Sequence, residues 1–440
     1  MTDDNLLPKQ LEQDVEVIVQ TPRRAAPIPA TRRIFSALTS FNYRLIFFGS
    51  LLSNIGTWIQ RVAQSWLVLS LSNSAFYLGL DAFANDFPLL LFSLLGGVAA
   101  DRMDRKRLLA WAQAAQLVLA GVLGIVTYAG SVRVWHIITI SFLFGCVQAI
   151  SVPTYLSFMP TLVQRQELPS ALALNSMQFN VSRIVGPAIA GVLLLHGGAA
   201  SCFLLNSISF LAVIISLTWM RHVQTRLHTH ASVGRSLLQG AEYVRRHRIL
   251  LYYLLSVFIF SFGASPLVTL LPLFARDILH AGAPGFSQLL SLFGTGAVIG
   301  ALCVAGAADL RRKVDRVLVT ISIFGLCTFA FALSRSLAMS SAIAFIAGAS
   351  IIASNVMLNT MVQNESPGPL RGRIMSMYGL AFRGGMPLGN LMSGSIAQRW
   401  GGPSAVIVQG MILISYTGIF ALFFRRRFQN ARNMAANGRG

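Results

Sequence analysis

Long apolar stretches separated by short polar segments recur along the chain from Tyr43 to Phe424. Each stretch is about as long as the roughly 20 residues with which a helix crosses about 30 Å of hydrocarbon. A membrane-spanning β-barrel would instead alternate apolar and polar residues over segments of about ten residues. The pattern therefore predicts an all-α polytopic membrane protein.

Charged residues and Gly/Pro turns divide the apolar stretches into twelve predicted transmembrane helices. They lie near residues 43–70, 76–100, 108–129, 134–160, 171–196, 201–220, 249–275, 286–306, 317–334, 338–362, 373–396 and 403–424. The composition agrees with this prediction. Hydrophobic residues make up 54% of the chain and charged residues 11%, whereas a soluble domain has about 25% charged residues.

The basic residues predict an orientation. If the N-terminus is cytoplasmic, 28 Lys and Arg residues fall in cytoplasmic segments and four in the opposite loops. By the positive-inside rule we expect both termini in the cytoplasm and the chain in a bacterial-type cell (inner) membrane. The net charge of +20 then requires no nucleic-acid partner, since a nucleic-acid binder would cluster basic residues on one face.

The two halves of the chain repeat each other. Asp101 follows the second predicted helix and Asp309 the eighth, while Arg183 in the fifth helix matches Arg383 in the eleventh. We therefore predict two pseudo-symmetric six-helix bundles. The expected segments are an N-terminal cytoplasmic tail (1–40), the first bundle (41–220), a cytoplasmic linker (221–248), the second bundle (249–426) and a C-terminal cytoplasmic tail (427–440). The linker would lie on the anionic inner leaflet as a basic amphipathic helix or be solvated.

The loop between the second and third helices reads Gly97-x-x-x-Asp101-Arg102-x-x-Arg105. With the helix number and the repeat, it resembles the loop motif of the major facilitator superfamily. Asp104 stands where the usual pattern has Gly, a departure that resembles the superfamily's branch of drug and siderophore exporters, typified by the enterobactin exporter. The resemblance implies the two-bundle fold and transport by alternating access.

The same loop is a candidate latch between the two bundles. Asp101 would pair with Arg102 or Arg105, or with the N-terminus of a helix from the other half. Gly97 belongs to the same motif, and Asp309 belongs to its weaker repeat in the second half. A charged contact that breaks when the bundles rock would bias the conformational equilibrium. The alternative is that these charges only set the membrane topology.

Arg61 and Asp86 lie inside predicted helices, where an ionisable side chain is costly and usually faces a cavity or a partner. Their similar depth predicts an Arg61–Asp86 ion pair. On this interpretation Asp86 is the only carboxylate well inside the first half and carries a proton when the pair opens. A permanent structural ion pair is the alternative.

Arg183 and Arg383 fall near the middle of their helices. They are candidates for a central cavity that attracts an anionic or phenolic substrate, and Asn54 and Gln60 are candidates for the same cavity. The alternatives are bonds to backbone carbonyls for the arginines and helix packing for the amides.

The stretch Gly186-Pro187-x-x-x-Gly191 follows Arg183. It resembles the fifth-helix motif of antiporters that export, and that resemblance favours export over uptake. Small residues allow close helix approach, and Pro187 frees a backbone bond and permits bending.

These features together predict a monomeric exporter of small amphipathic molecules, driven by proton antiport or assisted by the membrane potential. The chain lacks a nucleotide-binding loop and an HExxH motif, and its four cysteines show no CxxC spacing, so we expect no enzyme activity, cofactor or metal. Two alternatives remain. One is a lipid or lysolipid flippase of the same fold, and the other is a non-transporting membrane scaffold or receptor.

Overall fold

The computed structural model describes residues 35–221, 233–306 and 313–437, and these form twelve long helices. The first six are α1 (Phe41–Ser72), α2 (Ala75–Arg102), α3 (Arg105–Tyr128), α4 (Val134–Phe158), α5 (Leu168–His196) and α6 (Gly198–Trp219). The last six are α7 (Arg248–Leu273), α8 (Gly282–Gly306), α9 (Lys313–Leu333), α10 (Leu337–Glu365), α11 (Arg371–Trp400) and α12 (Gly402–Asn437). The all-α polytopic fold is confirmed.

Within the described residues, ten of the helices are long and apolar enough to cross a membrane. The other two, α1 and α11, are as long but more polar. They carry the in-membrane Arg61 and Arg383, and α11 also begins with Arg371 and Arg373 and ends near Arg399. The count of twelve is therefore consistent with the structure, and polar side chains account for the two exceptions.

The two halves pack in the same way. In the first half α2 lies against α4, α1 against α5 and α3 against α6, and the second half repeats these pairs as α8 with α10, α7 with α11 and α9 with α12. Between the halves, α2 meets α11 and α5 meets α8, which are equivalent pairs under the same symmetry. This is the pseudo-symmetric arrangement that the sequence repeat predicts.

The outer surface of the bundle is apolar. Large side chains such as Trp111, Leu302 and Leu333 are more than 65% exposed, which is the environment expected where a helix faces lipid hydrocarbon. Buried aromatic side chains such as Phe293 and Phe324 fill the interior.

A shorter helix, Val233–Arg246, connects the halves, and we call it the linker helix. Val244 is buried, and a Cβ built on Gly240 would lie 3.2 Å from the Cβ of Arg373 on α11. The linker helix therefore packs one side against α11, a contact that the sequence did not predict. Residues 222–232 of the predicted linker lie outside the described residues.

The molecule has two ends along the helix axes. The basic end of the molecule is the end where α2 stops and α3 begins, with Arg102 and Arg105. The opposite end is where α1 stops and α2 begins.

Candidate functional site

A cavity of about 410 Å³ lies between the two halves, and we call it the central cavity. Its wall combines aromatic and aliphatic side chains with polar groups from both halves. The polar and charged lining residues are Thr57, Gln60, Arg61, Gln64, Ser65, Asp81, Asn85, Asp86, Arg183, Ser261, Ser265, Thr269, Asn355 and Asn390. Such a wall suits a molecule with both apolar and polar parts.

A second cavity of about 530 Å³, the polar chamber, adjoins the central cavity and extends toward the basic end. Hydroxyl and amide groups of the first half make up most of its polar wall, and among the described lining residues Arg383 alone comes from the second half. The two cavities share Thr57, Trp58, Arg61 and Phe179. Together they form one polar path from the middle of the molecule toward the basic end.

Arg183 and Arg383 occupy adjoining cavities. Arg183 lines the central cavity and Arg383 the polar chamber. The Arg183 guanidinium lies over the rings of Trp58 (5.9 Å to the centroid) and Phe293 (5.1 Å), and its buried Nε has no hydrogen-bond partner among the described residues. A cation held by ring faces keeps N–H donors available for an anionic ligand.

Arg61 and Asp86 both line the central cavity, but no ion pair within 4.0 Å joins them. Arg61 instead lies over the Trp58 ring, 5.2 Å from its centroid. Asp86 interacts electrostatically with both Arg61 and Arg383. The predicted ion pair is thus absent from this conformation, in which the Arg61 guanidinium lies over the Trp58 ring instead.

Asp81 is a second carboxylate inside the first half, and the sequence pattern did not single it out. Its side chain is buried and accepts hydrogen bonds from Gln64 Nε2 (2.9 and 3.0 Å) and Ser141 Oγ (2.5 Å). Asp86 is therefore not the only carboxylate well inside this half. The sequence did offer a signal for it, because Asp81 is an isolated carboxylate in the apolar run of α2, about one helical turn before Asp86.

Gln60 and Asn54 lie on different parts of the path. Gln60 is buried, accepts a hydrogen bond from Asn206 Nδ2 (2.6 Å) and donates to Gln64 Oε1 (3.4 Å), so it links α6 to the Asp81 group. Asn54 is half-buried and lines the polar chamber. Gln60 thus touches the central cavity while also holding helices together, and Asn54 is open to the chamber.

The latch motif makes its contacts within the first half. Asp101 lies 3.7 Å from Arg105 Nη2, and Arg105 donates to the carbonyl oxygens of Ala100 (3.1 Å) and Ser157 (3.2 Å). Arg102 is exposed. A Cβ built on Gly97 would have no described neighbour within 4 Å. The motif therefore bridges α2, α3 and α4 here, and none of these contacts comes from the part of the second half that the structure describes. Asp309 lies outside the described residues.

At the opposite end the two halves are in close contact. A Cβ built on Gly79 would lie 2.4 Å from the carbonyl oxygen of Asn390 and 3.1 Å from the Cα of Gly394. Further along α11, toward the basic end, a Cβ on Gly379 would have no described neighbour within 4 Å. Helices α2 and α11 therefore touch at the opposite end and diverge toward the basic end.

The antiporter-like stretch of α5 lies at two such contacts. A Cβ on Gly186 would lie 2.4 Å from the Cβ of Trp58 on α1, and one on Gly191 would lie 2.8 Å from the Cβ of Ser287 on α8. Pro187 lies inside α5 between them. The glycines are thus needed for close packing of α5 on its own half and on the other half.

Arg276 joins the halves at the opposite end. It follows α7 in the π-helical turn Phe274–Ile278 and donates from Nη1 to the carbonyl oxygen of Leu69 and to Asn73 Oδ1, both at 2.9 Å. Its Nε and Nη2 donate to Asp277. Asn73 ends α1 in a left-handed conformation with φ of 49°, and a cation there also complements the helix C-terminus. We call this group the Arg276 clamp.

We expect Gly79→Val to weaken the closed opposite end. The new side chain collides with the α11 backbone, which cannot move as a flexible side chain can, and overpacking of this kind costs about 1–3 kcal/mol. Spin labels on Tyr128 and Leu333, both highly exposed near that end, should then show a larger distance than in the parent protein without its four cysteines. An unchanged distance distribution would contradict this description of the contact.

Comparison with known proteins agrees with this geometry. Residues 33–439 match the model of the transmembrane secretion effector family, and the chain belongs to that family, a branch of the major facilitator superfamily. It is similar to the staphyloferrin A transporter of Staphylococcus aureus, with 25% identity over 87% of this chain and 96% of the relative. It is also similar to macrolide efflux protein A of Streptococcus pyogenes, with 24% identity over 85% and 94% of the two chains.

A third relative is the multidrug efflux pump Tap of Mycolicibacterium fortuitum, with 24% identity over 87% of this chain and 95% of the relative. Among solved structures, the nucleoside transporter NupG superposes with a TM-score of 0.65 at 14% identity, covering 88% of this chain and 99% of that one. A bacterial homolog of the human lysosomal transporter Spinster gives 0.66 at 13% identity, with 88% and 97% covered. These similarities confirm the major facilitator fold.

Proposed function

We propose that this protein exports small amphipathic molecules across the cell inner membrane by alternating access, driven by proton entry. The observation that carries the proposal is the central cavity between the halves, closed at the opposite end and continuous with the polar chamber. The names of the relatives, which include macrolide, multidrug and siderophore transporters, support a small-molecule substrate.

The orientation follows from charge. The basic end carries the motif Arg102, Arg105 and Lys106, and basic residues concentrate on the cytoplasmic side of membrane proteins. We therefore propose that the basic end and both termini are cytoplasmic, so that the structure is the conformation that receives substrate from inside the cell. A monomer suffices, since one chain supplies the whole cavity.

The electrostatic balance of the cavities favours anionic or phenolic substrates. Three arginines, Arg61, Arg183 and Arg383, face two carboxylates, Asp81 and Asp86, across the two cavities. Aromatic side chains such as Phe179 provide the apolar part of the wall. A small molecule with an aromatic or aliphatic body and an acidic group would satisfy both parts.

Helix packing argues against the lipid flippase alternative. A lipid would enter sideways between α5 and α8, but Gly191 meets Ser287 there, and Ser291 Oγ donates to the carbonyl oxygen of Ile184 at 3.3 Å. The lateral route is thus closed over the half of α5 nearer the opposite end. A scaffold or receptor would not require charged side chains in a cavity, where they are costly.

Accumulation in cells tests the proposed function. Cells with and without the protein would be loaded with erythromycin, ethidium or a citrate-based siderophore, each with and without a protonophore. We expect the protein to lower accumulation of at least one compound and the protonophore to abolish the difference. Equal accumulation of all three compounds in both cell types would contradict the proposal.

Lysine at Arg183 or Arg383 separates substrate binding from helix packing. Lysine keeps the charge but loses the planar fork that binds a carboxylate, catecholate or phosphate. We expect binding of the siderophore to weaken by about 1.5–3 kcal/mol, or ~10- to 150-fold in Kd, with ethidium transport nearly unchanged. The measurements are transport of the siderophore and of ethidium at several concentrations by each purified variant, together with the Tm of that variant.

Arg399→Lys is the matched control, because Arg399 is exposed on α11, the helix that carries Arg383. It should leave both compounds and the Tm unchanged. Equal losses for siderophore and ethidium in Arg183→Lys and Arg383→Lys, together with a lower Tm, would indicate a packing role and reject the substrate-binding role.

A further inference from the structure

Asp81 lies in the wall between the central cavity and α4. Its side chain is 7% exposed, and its three hydrogen bonds come from the neutral donors Gln64 and Ser141. Within the described part of the chain, no Lys or Arg nitrogen lies within 4.0 Å of its oxygens. A buried carboxylate that no cation contacts is costly in its charged form, and a bound proton removes that cost.

Few charged groups face Asp81. Asp86 lies on the same helix and Arg61 on α1, and both interact with it electrostatically at longer range. From the other neighbouring helices, Arg183 on α5 lies across the cavity and Arg383 on α11 lies in the polar chamber. The side of α4 that touches Asp81 presents the neutral Ser141. None of these groups forms a contact ion pair that would hold Asp81 permanently ionised.

The hydrogen bonds around Asp81 fit both protonation states. Ser141 Oγ lies 2.5 Å from Asp81 Oδ1 and 2.9 Å from the carbonyl oxygen of Ile137, but a hydroxyl has a single hydrogen. When Asp81 is ionised, Ser141 donates to the carboxylate. When Asp81 is protonated, its own O–H donates to Ser141 Oγ, and Ser141 donates to Ile137. Neither state leaves a buried donor without an acceptor.

Asp86 is in a different environment. It interacts with the arginines Arg61 and Arg383 and carries no comparable set of neutral donors among the described residues. Two cations favour the ionised form of a carboxylate even where no contact ion pair forms, whereas burial opposes that form. Asp86 is thus tied electrostatically to the cavity arginines, and Asp81 is the carboxylate whose neutral hydrogen-bond partners serve both protonation states.

We propose that Asp81 is the site that binds the transported proton, an inference that rests on the proposed function. Asp81 and Gln64 line the central cavity, so the site is reached from the basic end in this conformation. Gly79, two residues away, is where α2 touches Asn390 of α11. Separation of α2 from α11 would expose Asp81 to the opposite end, so proton exchange with each side follows the conformation.

The contact between Gly79 and Asn390, which closes the opposite end, lies next to the proposed proton site at Asp81. Asn390 is buried, lines the central cavity, and accepts a hydrogen bond from Thr269 Oγ1 on α7 at 3.0 Å. A change of charge at Asp81 acts about 3 Å along α2 from the Gly79–Asn390 contact, given a rise of about 1.5 Å per residue. Substrate in the same cavity therefore meets a different charge before and after proton release.

Asp81→Asn tests the proposal in proteoliposomes, with erythromycin and ethidium as probes. Asparagine has nearly the same shape and no negative charge: its oxygen can accept from Gln64 while its Nδ2 donates to Ser141 Oγ, as the protonated carboxyl group does. We expect exchange of labelled for unlabelled probe across the membrane to persist, while uptake driven by a pH gradient falls by ~10-fold or more, since a loss of about 1.4 kcal/mol in coupling is tenfold. Asp81→Glu should restore part of the driven uptake.

Glu242→Gln is the matched control, since Glu242 is an exposed carboxylate of the linker helix, paired with Arg246, and its loss should leave driven uptake unchanged. Driven uptake by Asp81→Asn equal to that of the wild type would overturn the proposal. So would loss of driven uptake in Asp86→Asn with Asp81→Asn unaffected.

Infrared difference spectroscopy of the purified protein between low and high pH provides a readout that needs no substrate. The wild type should show the carbonyl-stretching band of a buried protonated carboxyl group, and Asp81→Asn should lack that band. If the wild type carries neither probe, the proposed function fails for these compounds, while the band still decides the role of Asp81. A band identical in wild type and Asp81→Asn would reject it.

Discussion

Replacing Arg276 with alanine should open the end of the molecule that is closed in this structure. The side chain donates two hydrogen bonds across the halves, to Leu69 and Asn73, and each bond from a charged donor is worth about 1.5–3 kcal/mol. Since the Arg276 side chain is 27% exposed, solvent screening reduces the total to about 1–2 kcal/mol. The conformational equilibrium should thus shift by ~5- to 30-fold.

Distances between spin labels on Tyr128 and Leu333 measure this shift, and the longer distance should become the major one in Arg276→Ala. Arg335→Ala is the matched control, because Arg335 lies at the same end and donates to the carbonyl oxygens of Ala332 and Ser334 within its own half. The clamp would be irrelevant to gating if both variants gave the parent distribution, or if both opened alike.

Asp101→Asn should reduce transport by about tenfold or more, equivalent to ~1.4 kcal/mol, with little loss of stability. In this conformation Asp101 makes one 3.7 Å ion pair with Arg105 and is 36% exposed, and exposed pairs contribute only about 0–1 kcal/mol. The larger effect is expected from the other conformation, in which the basic end closes and Asp101 meets the N-terminal end of a helix of the second half.

The matched control is Asp104→Asn, three residues away in the same loop. The Asp104 side chain accepts hydrogen bonds from the backbone N–H groups of Lys106 and Arg107 at the start of α3, and asparagine serves equally well at such an N-cap. Transport by Asp104→Asn should match the wild type. Wild-type transport by Asp101→Asn at equal protein abundance would remove the latch hypothesis and leave the motif as a topology signal.

The fold was predictable because membrane helices are specified by local composition. Long apolar runs predicted helices at residues 43–70 and 76–100, and the structure has Phe41–Ser72 and Ala75–Arg102. The repeat of Arg183 as Arg383 predicted the pseudo-symmetry that the helix pairs show. The end of α12 was less accurate, because the helix continues through a polar segment to Asn437 rather than stopping near 424.

The sequence identified most of the charged residues of the candidate site, but it did not identify the residues that they contact. Arg61 and Asp86 are at similar depth, which suggested an ion pair, but depth along two helices does not determine the direction of the side chains. Asp81 is held by Gln64 and Ser141, which lie 17 and 60 residues away in the chain. Partnerships of this kind depend on how helices pack, which the linear pattern does not contain.

The Arg276 clamp was hidden for the same reason. Its sequence neighbour Asp277 accepts from Arg276 Nε, a local contact that adjacent residues can make without any help from the fold. The additional contacts with Leu69 and Asn73 lie more than 200 residues away along the chain. Only the packing of α7 beside α1 brings them together.

Uptake into everted membrane vesicles tests the central claim most directly. Respiration acidifies the interior of such vesicles, and an exporter with a cytoplasmic basic end should use that gradient to concentrate erythromycin, ethidium or the citrate-based siderophore inside. We predict uptake that requires the protein, stops with a protonophore and falls in Asp81→Asn. Uptake equal to that of vesicles without the protein, or uptake confined to right-side-out vesicles, would contradict the account.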